Sequence, residues 1–311
     1  MQPTAFFLDT RSRPHGRRFC LFHAPQGTPR GWIVHLHPFA EEMNKSRRMA
    51  ALQSRAFAAA GYGVLRIDLL GCGDSAGDFG DASWSAWIDD VLAACAWLRE
   101  HQPAAPLWLW GLRTGCLLAA AAAHRLAAED AEDADDARPV HCLFWQPVVS
   151  GQTALQQFLR LRFAGDLIAG GGKGALEALR RQLAAGETVE VAGYALAPAL
   201  ADGLAQATLA PPTRAGRLEW LESAPPATRD EAPSTLSPVA AQTLARWRDA
   251  GHAVRGHVRR GPAFWQTTEI EEAPAWLDAT LAAVADPAPA AFATPAAAPS
   301  RTLVSPRTAT A

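Results

Sequence analysis

The sequence predicts an α/β fold with a largely parallel, doubly wound sheet of about eight strands. The first indication is a set of short apolar runs bounded by turn residues, typical of strands buried on both faces, at residues 32–37, 63–68, 107–111 and 140–145. The second is that Ala- and Leu-rich stretches of helical length lie between those runs, at residues 46–60, 83–100 and 116–128. Because strand and helix alternate, neighbouring strands should run parallel.

The two ends of the chain supply the remaining strands. Residues 4–8 and 18–22 are apolar and lie on either side of the turn-like SRPHG, which predicts an antiparallel hairpin at the edge of the sheet. In the second half, a strand, a helix, a strand and a helix follow in that order, at residues 217–222, 238–250, 253–259 and 273–284. Together these elements complete a doubly wound sheet.

Residues 151–212 interrupt the alternation and predict a helical cap or lid inserted in a single domain of residues 1–285. The segment has helical pieces, the GGGKG turn at 170–174 and VEVAGY, and PP follows it. GGGKG lacks the spacing of a phosphate loop and predicts a flexible lid hinge. The acidic run at 128–137 predicts a solvated loop, and the Ala- and Pro-rich residues 286–311 predict a disordered tail.

Composition excludes several classes of function. The 29 basic and 31 acidic residues nearly balance, and the pI is about 6.5, so no attraction to nucleic acid is expected.

The chain shows no signal-like start and no apolar run long enough for a transmembrane helix, which predicts a cytoplasmic protein. Its five cysteines show no C-x-x-C spacing and are expected to be buried free thiols, with no metal site and no cofactor.

Three motifs in order resemble landmarks of the α/β-hydrolase superfamily. HLHPFA (residues 35–40) is similar to the loop after the third strand, whose backbone supplies half of the oxyanion hole. DLLGCGDS (68–75) is similar to the D-x-x-G-x-G-x-S turn, and GLRTG (111–115) has the position of the nucleophile elbow. Within the superfamily, HPFAEEMNKSRR, DLLGCGDSAGDF, LWLWGLRTG and GPAFWQTTEIEEAP resemble the second type of hydrolase associated with the exosortase A system, over residues 4–285.

The resemblance implies a catalytic triad whose two reacting members are missing. The centre of the elbow is Arg113, and a guanidinium stays protonated and cannot act as a nucleophile. The adjacent Thr114 is a weak alternative, because that position normally contributes its backbone N–H. In the segment after the last strand, residues 260–265 contain no histidine, and none follows. Glu222 could be the triad acid, but it would have no histidine to orient.

We therefore expect a binding pocket around Arg113. A guanidinium at a helix N-terminus suits a carboxylate, phosphate or sulfate, and it could equally form an internal ion pair with Glu41 or Glu42; the internal pair is favoured because a buried arginine needs a partner in the empty protein. The charged run 44–48 is expected to begin a helix and to form a solvated face. The expected ligand-binding residues are His37, Phe39, Glu41, Glu42, Arg113, Thr114 and Trp265.

Three functions remain open from the sequence. The first is a triad-deficient protein that binds an acyl, glycolipid or other anionic small molecule, or a protein partner of the exosortase system. The second is an active acyl or ester hydrolase, or an acyltransferase, with an unrecognised set of catalytic residues. The third is a scaffold whose pocket is filled by its own side chains, as Phe264 and Trp265 would do at the position of the missing histidine. The resemblance implies a link to exopolysaccharide or PEP-CTERM protein production.

Overall fold

The structure, a computed structural model, describes residues 2–10, 16–101, 105–129, 139–168, 174–224 and 235–286. All but the first residue of the tail predicted at 286–311, and most of the predicted acidic loop and GGGKG hinge, lie outside these residues. Within the described ranges, no helix is both long and apolar enough to cross a bilayer.

Eight strands form one sheet in the order β1-β2-β4-β3-β5-β6-β9-β10, which confirms the predicted fold class. The first two strands form the predicted antiparallel edge hairpin, β2 also pairs antiparallel with β4, and all other neighbours are parallel. The strands are β1 (Thr4–Asp9), β2 (Arg17–His23), β3 (Gly31–Leu36), β4 (Tyr62–Ile67), β5 (Leu107–Leu112), β6 (Val140–Trp145), β9 (Arg217–Ala224) and β10 (Ala253–Arg260).

Helices cover both faces of the sheet, because its central strands are apolar on both sides. Every residue of β3, β5 and β6 is buried. One core packs against α1 (Glu41–Ala59) and α8 (Pro274–Ala285). The other lies under three helices, α2 (Trp84–His101), α3 (Thr114–Glu129) and α7 (Pro238–Asp249). The sheet is therefore wound on both faces.

The segment between β6 and β9 contains three helices and a small separate hairpin. These are α4 (Gly151–Ile168), α5 (Ala175–Ala184), β7 (Val189–Val191), β8 (Tyr194–Leu196) and α6 (Pro198–Gln206). The helix α4 packs on α6, and α6 packs on α2. Leu200 and Leu204 of α6 are fully buried, so this segment shares the larger core of the sheet.

The beginning of α1 differs from the prediction. The helix was expected from residue 46, with residues 44–48 at its start, but it begins at Glu41 directly after the loop that follows β3. No side chain caps its first turn, and Ala40 before it has φ 50° and ψ −126°. Two acidic residues in that turn, Glu41 and Glu42, interact favourably with the positive end of the helix dipole, which favours the earlier start.

Candidate functional site

The site lies where the loops after β3 and β5 meet. These two strands are neighbours in the sheet, but the chain leaves β3 towards β4 on one side and returns to β5 on the other. Such a change of direction opens a crevice at the carboxyl ends of parallel strands, and ligands commonly bind there. The helices α1 and α3 both begin at this crevice, since Glu41 and Thr114 line one cavity.

Arg113 occupies the sharp turn between β5 and α3 in the left-handed conformation, with φ 55°. Its backbone N–H donates to Trp145 O at 2.9 Å, and its carbonyl accepts from Cys116 N at 3.1 Å. A non-glycine residue with positive φ is strained, and such strain is characteristic of nucleophile elbows. The turn geometry of an elbow is therefore present with an arginine at its centre.

Two glycines make this turn sterically feasible. A Cβ on Gly111 would lie 2.5 Å from Cys116 N, and a Cβ on Gly115 would lie 2.3 Å from Leu36 O. Both contacts are with backbone, which cannot move aside, so larger residues are excluded at both positions. The G-x-x-x-G spacing of the sequence thus serves the close approach of α3 to β3 and β5.

Arg113 forms the internal ion pair that the sequence favoured, and its partner is Glu42. Arg113 Nε donates to Glu42 Oε1 at 3.2 Å, with the two side chains 15% and 23% exposed. The terminal Nη groups make no hydrogen bond to any residue that the structure describes. Burial raises the pKa of Glu42 above its usual value, although Arg113, Gln266 and Lys45 each lower it. The guanidinium is therefore held at Nε and open at Nη.

Glu41 lies in the same turn of α1, but it does not pair with Arg113. It accepts a hydrogen bond at 3.4 Å from the hydroxyl of Tyr194, which lies on β8 of the inserted segment. Asn44 Nδ2 also donates to that hydroxyl, at 3.4 Å. These two contacts hold the β7–β8 hairpin against the start of α1.

The side-chain hydroxyl of Thr114 accepts a hydrogen bond from a backbone N–H of the facing loop. The N–H of Phe39 donates to Thr114 Oγ1 at 2.8 Å. Phe39 lies in the loop after β3, which in the α/β-hydrolase pattern that the sequence resembles supplies half of the oxyanion hole. The threonine hydroxyl satisfies this backbone donor, and the interaction holds the loop and the elbow together.

Aromatic side chains occupy the segment after β10, where the resemblance led us to look for a histidine. Phe264 and Trp265, just after β10, are 0% and 3% exposed. The Phe264 ring lies 5.8 Å from both Trp145 and Trp276, and Trp265 lies 6.0 Å from Trp276. One face of Trp265 also lies near Arg113, whose Cζ is 5.9 Å from the ring centre. Among the described residues, no histidine lines the cavity at Arg113.

His37 and Glu222 do not lie at this cavity, contrary to the roles considered from the sequence. His37 is buried beside His35, Arg66 and Asp68; its Nδ1 donates to Pro38 O at 2.9 Å and its Nε2 accepts from Leu69 N at 3.4 Å. Both ring nitrogens therefore serve the local backbone. Glu222 accepts from the backbone and the hydroxyl of Ser237, at 2.9 and 2.8 Å, and so stabilises the start of α7.

The cavity has a volume of about 360 Å³, which is in the range of small-molecule sites. Six of the seven expected ligand-binding residues line it, namely Phe39, Glu41, Glu42, Arg113, Thr114 and Trp265. The remaining lining residues were not expected from the sequence; they are Lys45, Val148, Ala154, Gln157, Phe158, Leu161 and Gln266. Lys45 was expected on a solvated face. The four residues of α4 have the i, i+3, i+4, i+7 spacing of one helix face, which was the signal available for them.

The cysteines offer no replacement nucleophile. All five are free and buried, as the sequence predicted. Burial raises the pKa of Cys116, beside the elbow, well above its usual value, and its Sγ lies 3.7 Å from Trp145 O. A thiol must ionise to attack a carbonyl, so Cys116 is a core residue. The described residues contain no cluster of side chains suited to a metal ion.

Comparison with known proteins places this geometry in a familiar fold. The family described as "Serine aminopeptidase, S33" matches residues 27–133, about a third of the chain, which contain β3, its loop and the elbow. None of the curated protein sequences matches the chain.

Solved structures match over almost the whole length. A thermostable carboxyl esterase from Bacillus coagulans, solved with glycerol, is 14% identical with a TM-score of 0.57 and covers 91% of this chain and 97% of its own. Est1E from Butyrivibrio proteoclasticus, solved with ferulic acid, is 15% identical with a TM-score of 0.59 and covers 90% and 98%. A protein of Agrobacterium vitis described as a hydrolase is 20% identical with a TM-score of 0.53, and it covers 91% and 97%. With its elbow, its facing loop and its eight-stranded sheet, the chain has the α/β-hydrolase fold.

Proposed function

We propose that the protein is a triad-deficient member of the α/β-hydrolase superfamily that binds a small molecule at Arg113 and does not hydrolyse it. The observation that carries this proposal is the arginine at the centre of an intact elbow. A guanidinium cannot attack a carbonyl, Phe264 and Trp265 fill the histidine position, and Thr114 occupies the donor at Phe39. The pocket itself is retained, since the cavity of about 360 Å³ lies directly over the elbow.

The cavity can hold the classes of ligand expected from the sequence, which are an acyl chain, a glycolipid or another anionic small molecule. Its wall is apolar on the side of α4 and charged on the side of α1. The inserted segment, residues 151–212, would act as the cap of this single-domain protein, because α4 forms one wall of the cavity. A protein partner of the exosortase system would have to bind at the mouth of the same cavity.

The purified protein is expected to lack esterase activity on short and medium acyl esters and to resist labelling by serine-directed phosphonates. The physical reason is that the described residues provide neither a nucleophile nor a general base in the geometry of a triad. Release of p-nitrophenol from its esters and mass spectrometry after phosphonate treatment are the measurements.

The alternative function is an active hydrolase or acyltransferase using Thr114, with the carboxyl of Glu42 in the same cavity. Turnover that disappears in Thr114→Ala would establish that alternative.

Arg113→Ser provides the control for this test. A serine at the centre of the elbow restores the nucleophile but supplies no residue to accept its proton, so the variant is also expected to be inactive. Efficient turnover by Arg113→Ser would reveal a base near the elbow and would contradict the assignment of this site as triad-deficient.

The resemblance to the second type of exosortase A system-associated hydrolase supports a cellular context for this binding. We place the protein in the cytoplasm of a bacterium that makes PEP-CTERM proteins and exopolysaccharide, where it would bind an intermediate of that system. Deletion of its gene is expected to lower exopolysaccharide yield, and an Arg113→Met allele is expected to reproduce the deletion. Normal polysaccharide and PEP-CTERM protein levels in the deletion strain would contradict this context.

A further inference from the structure

We propose that the ligand is an amphiphile with one negative charge, a medium-chain carboxylate whose head group binds Arg113 and Lys45 and whose chain lies along α4. This inference rests on the proposed binding function and names the ligand class of the same cavity. It follows from the free donors at one end of the cavity, the apolar stripe along its wall and the balance of charges around the head group.

The head-group end has cationic groups whose hydrogen-bond donors are only partly used within the protein. Arg113 uses Nε for Glu42 and leaves both Nη groups without a hydrogen-bond partner among the described residues. Lys45 Nζ lies 3.4 Å from Gln266 O and makes no ion pair with a described carboxylate. Two parallel N–H groups of a guanidinium match the two oxygens of a carboxylate. Glu42 orients the guanidinium so that these groups remain available.

The other end is an apolar stripe on one face of α4. Ala154, Phe158 and Leu161 lie at helical spacing, and at 1.5 Å per residue the stripe from Ala154 to Leu161 is about 10 Å long. The Phe158 ring packs edge-on against Phe39, with ring centres 4.9 Å apart. Leu161 is 50% exposed although it lines the cavity, so it marks the mouth. A chain that starts at Arg113 can therefore lie on apolar surface until it reaches solvent.

The charges around the head group favour one negative charge over two. Arg113 and Lys45 line the same cavity as Glu41 and Glu42, so the formal charges of the four side chains cancel. Each negative charge that a ligand brings is repelled by the carboxylates of Glu41 and Glu42, so a second charge adds repulsion without gaining another cation. A phosphate monoester carries nearly two charges at neutral pH. A carboxylate carries one, and it fits this site better.

The test is isothermal titration calorimetry of the full chain with decanoate, decanol, decyl phosphate and decyltrimethylammonium. Decanoate is expected to bind about 10- to 100-fold more tightly than decanol, which is the effect of charge-assisted hydrogen bonds, and more tightly than the phosphate and the cation. Arg113→Met is expected to remove most of the preference for decanoate over decanol, with Lys45 keeping the remainder. Arg48→Met is the matched control, because Arg48 lies on α1 with Glu42 and Lys45 but pairs with Glu272 at the surface.

The chain end is tested by Leu161→Ser, which is expected to weaken decanoate binding, with Val239→Ser as its control at a similar exposure of 52%. If Arg113→Met does not fold, as judged by circular dichroism, Arg113→Lys replaces it; a lysine keeps the charge but loses the paired donors, so decanoate should again weaken more than decanol. Equal binding of decanoate and decanol, stronger binding of decyl phosphate, or no binding of any probe would overturn the inference. Hydrolysis of methyl decanoate would instead overturn the proposed function.

Discussion

Glu219→Gln is expected to lower the free energy of unfolding by about 3–5 kcal/mol, because it removes the negative charge that Arg217 and Arg255 share. The Glu219 carboxylate, on β9, is 1% exposed and accepts from Arg217 at 3.0 Å, from Arg255 at 2.7 Å and from His257 at 2.9 Å. Arg217 is itself 5% exposed, and an arginine cannot escape burial by losing its proton. The variant therefore retains a buried guanidinium without a carboxylate.

The effect should be visible in urea unfolding followed by tryptophan fluorescence, as a lower midpoint with an unchanged slope. Glu272→Gln is the matched control, because Glu272 pairs with Arg48 at the surface, and it should cost at most about 1 kcal/mol. Replacing Arg217 and Glu219 together by leucine should recover much of the loss, since apolar replacements of buried ion pairs are often neutral. A cost for Glu219→Gln as small as that of the surface control would contradict a structural role for this cluster.

Because of the same cluster, we expect the stability of the folded protein to depend on pH. Burial by itself would raise the pKa of Glu219, but the hydrogen bonds from His257, Arg255 and Arg217 outweigh it and lower the pKa below its usual value. A carboxyl whose pKa is lower in the folded state stabilises the protein above its unfolded pKa of about 4.3. That contribution is lost as the pH falls below this value, and Glu219→Gln should remove it.

The sequence predicted the strands and helices well because their hydrophobic periodicity is strong. The predicted run 140–145 matches β6, and 107–111 falls one residue short of β5, since every residue of both strands is buried and apolar runs of that length have few alternatives. The predicted start of α1 was wrong because Glu41 and Glu42 add nothing to the hydrophobic periodicity from which the helix was predicted. Their contribution is an interaction with the helix dipole, which an apolar pattern does not reveal.

The candidate site was predictable where topology alone positions a residue. Arg113 and Phe39 follow adjacent parallel strands, so their loops had to meet. His37 does not line the cavity, because the direction of a loop side chain depends on local hydrogen bonds, and its ring bonds to Pro38 and Leu69. The residues of α4 were missed for a related reason: their spacing indicates one helix face but not what that face contacts. Likewise, nothing in the run 217–222 indicates that Glu219 has partners on β10.

The ion pair at the elbow should make a measurable but smaller contribution to stability than the Glu219 cluster. Its side chains are 15% and 23% exposed, so solvent screens the pair, and Arg113→Met is expected to cost about 1–3 kcal/mol at neutral pH. The loss of stability is also limited by protonation of Glu42. The carboxyl that loses its partner can take up a proton, whereas the buried arginine of the Glu219 cluster cannot lose one.

Because Glu42 can take up a proton, the destabilisation by Arg113→Met should depend on pH. Burial already raises the pKa of Glu42 in the wild-type protein, and removing Arg113 removes the main charge that opposes this shift. A carboxyl with a raised folded pKa loses stability as the pH rises from its unfolded value, near 4.3, to its folded value. The destabilisation by Arg113→Met should therefore be small near pH 4 and grow as the pH rises, by up to about 1.4 kcal/mol per pH unit.

A double-mutant cycle separates this pair from a general loss of packing. The variants are Arg113→Met, Glu42→Gln and their combination, with the surface pair of Arg48 and Glu272 as the matched cycle. Thermal unfolding at pH 4.5, 6 and 7.5 should show a coupling that is larger at the elbow than at the surface. It should also show that Glu42→Gln abolishes the pH dependence of the Arg113→Met effect, because an amide has no proton to take up. An Arg113→Met variant as stable as wild type at every pH would mean that Glu42 does not depend on Arg113, and that the guanidinium is held in the cavity for its ligand alone.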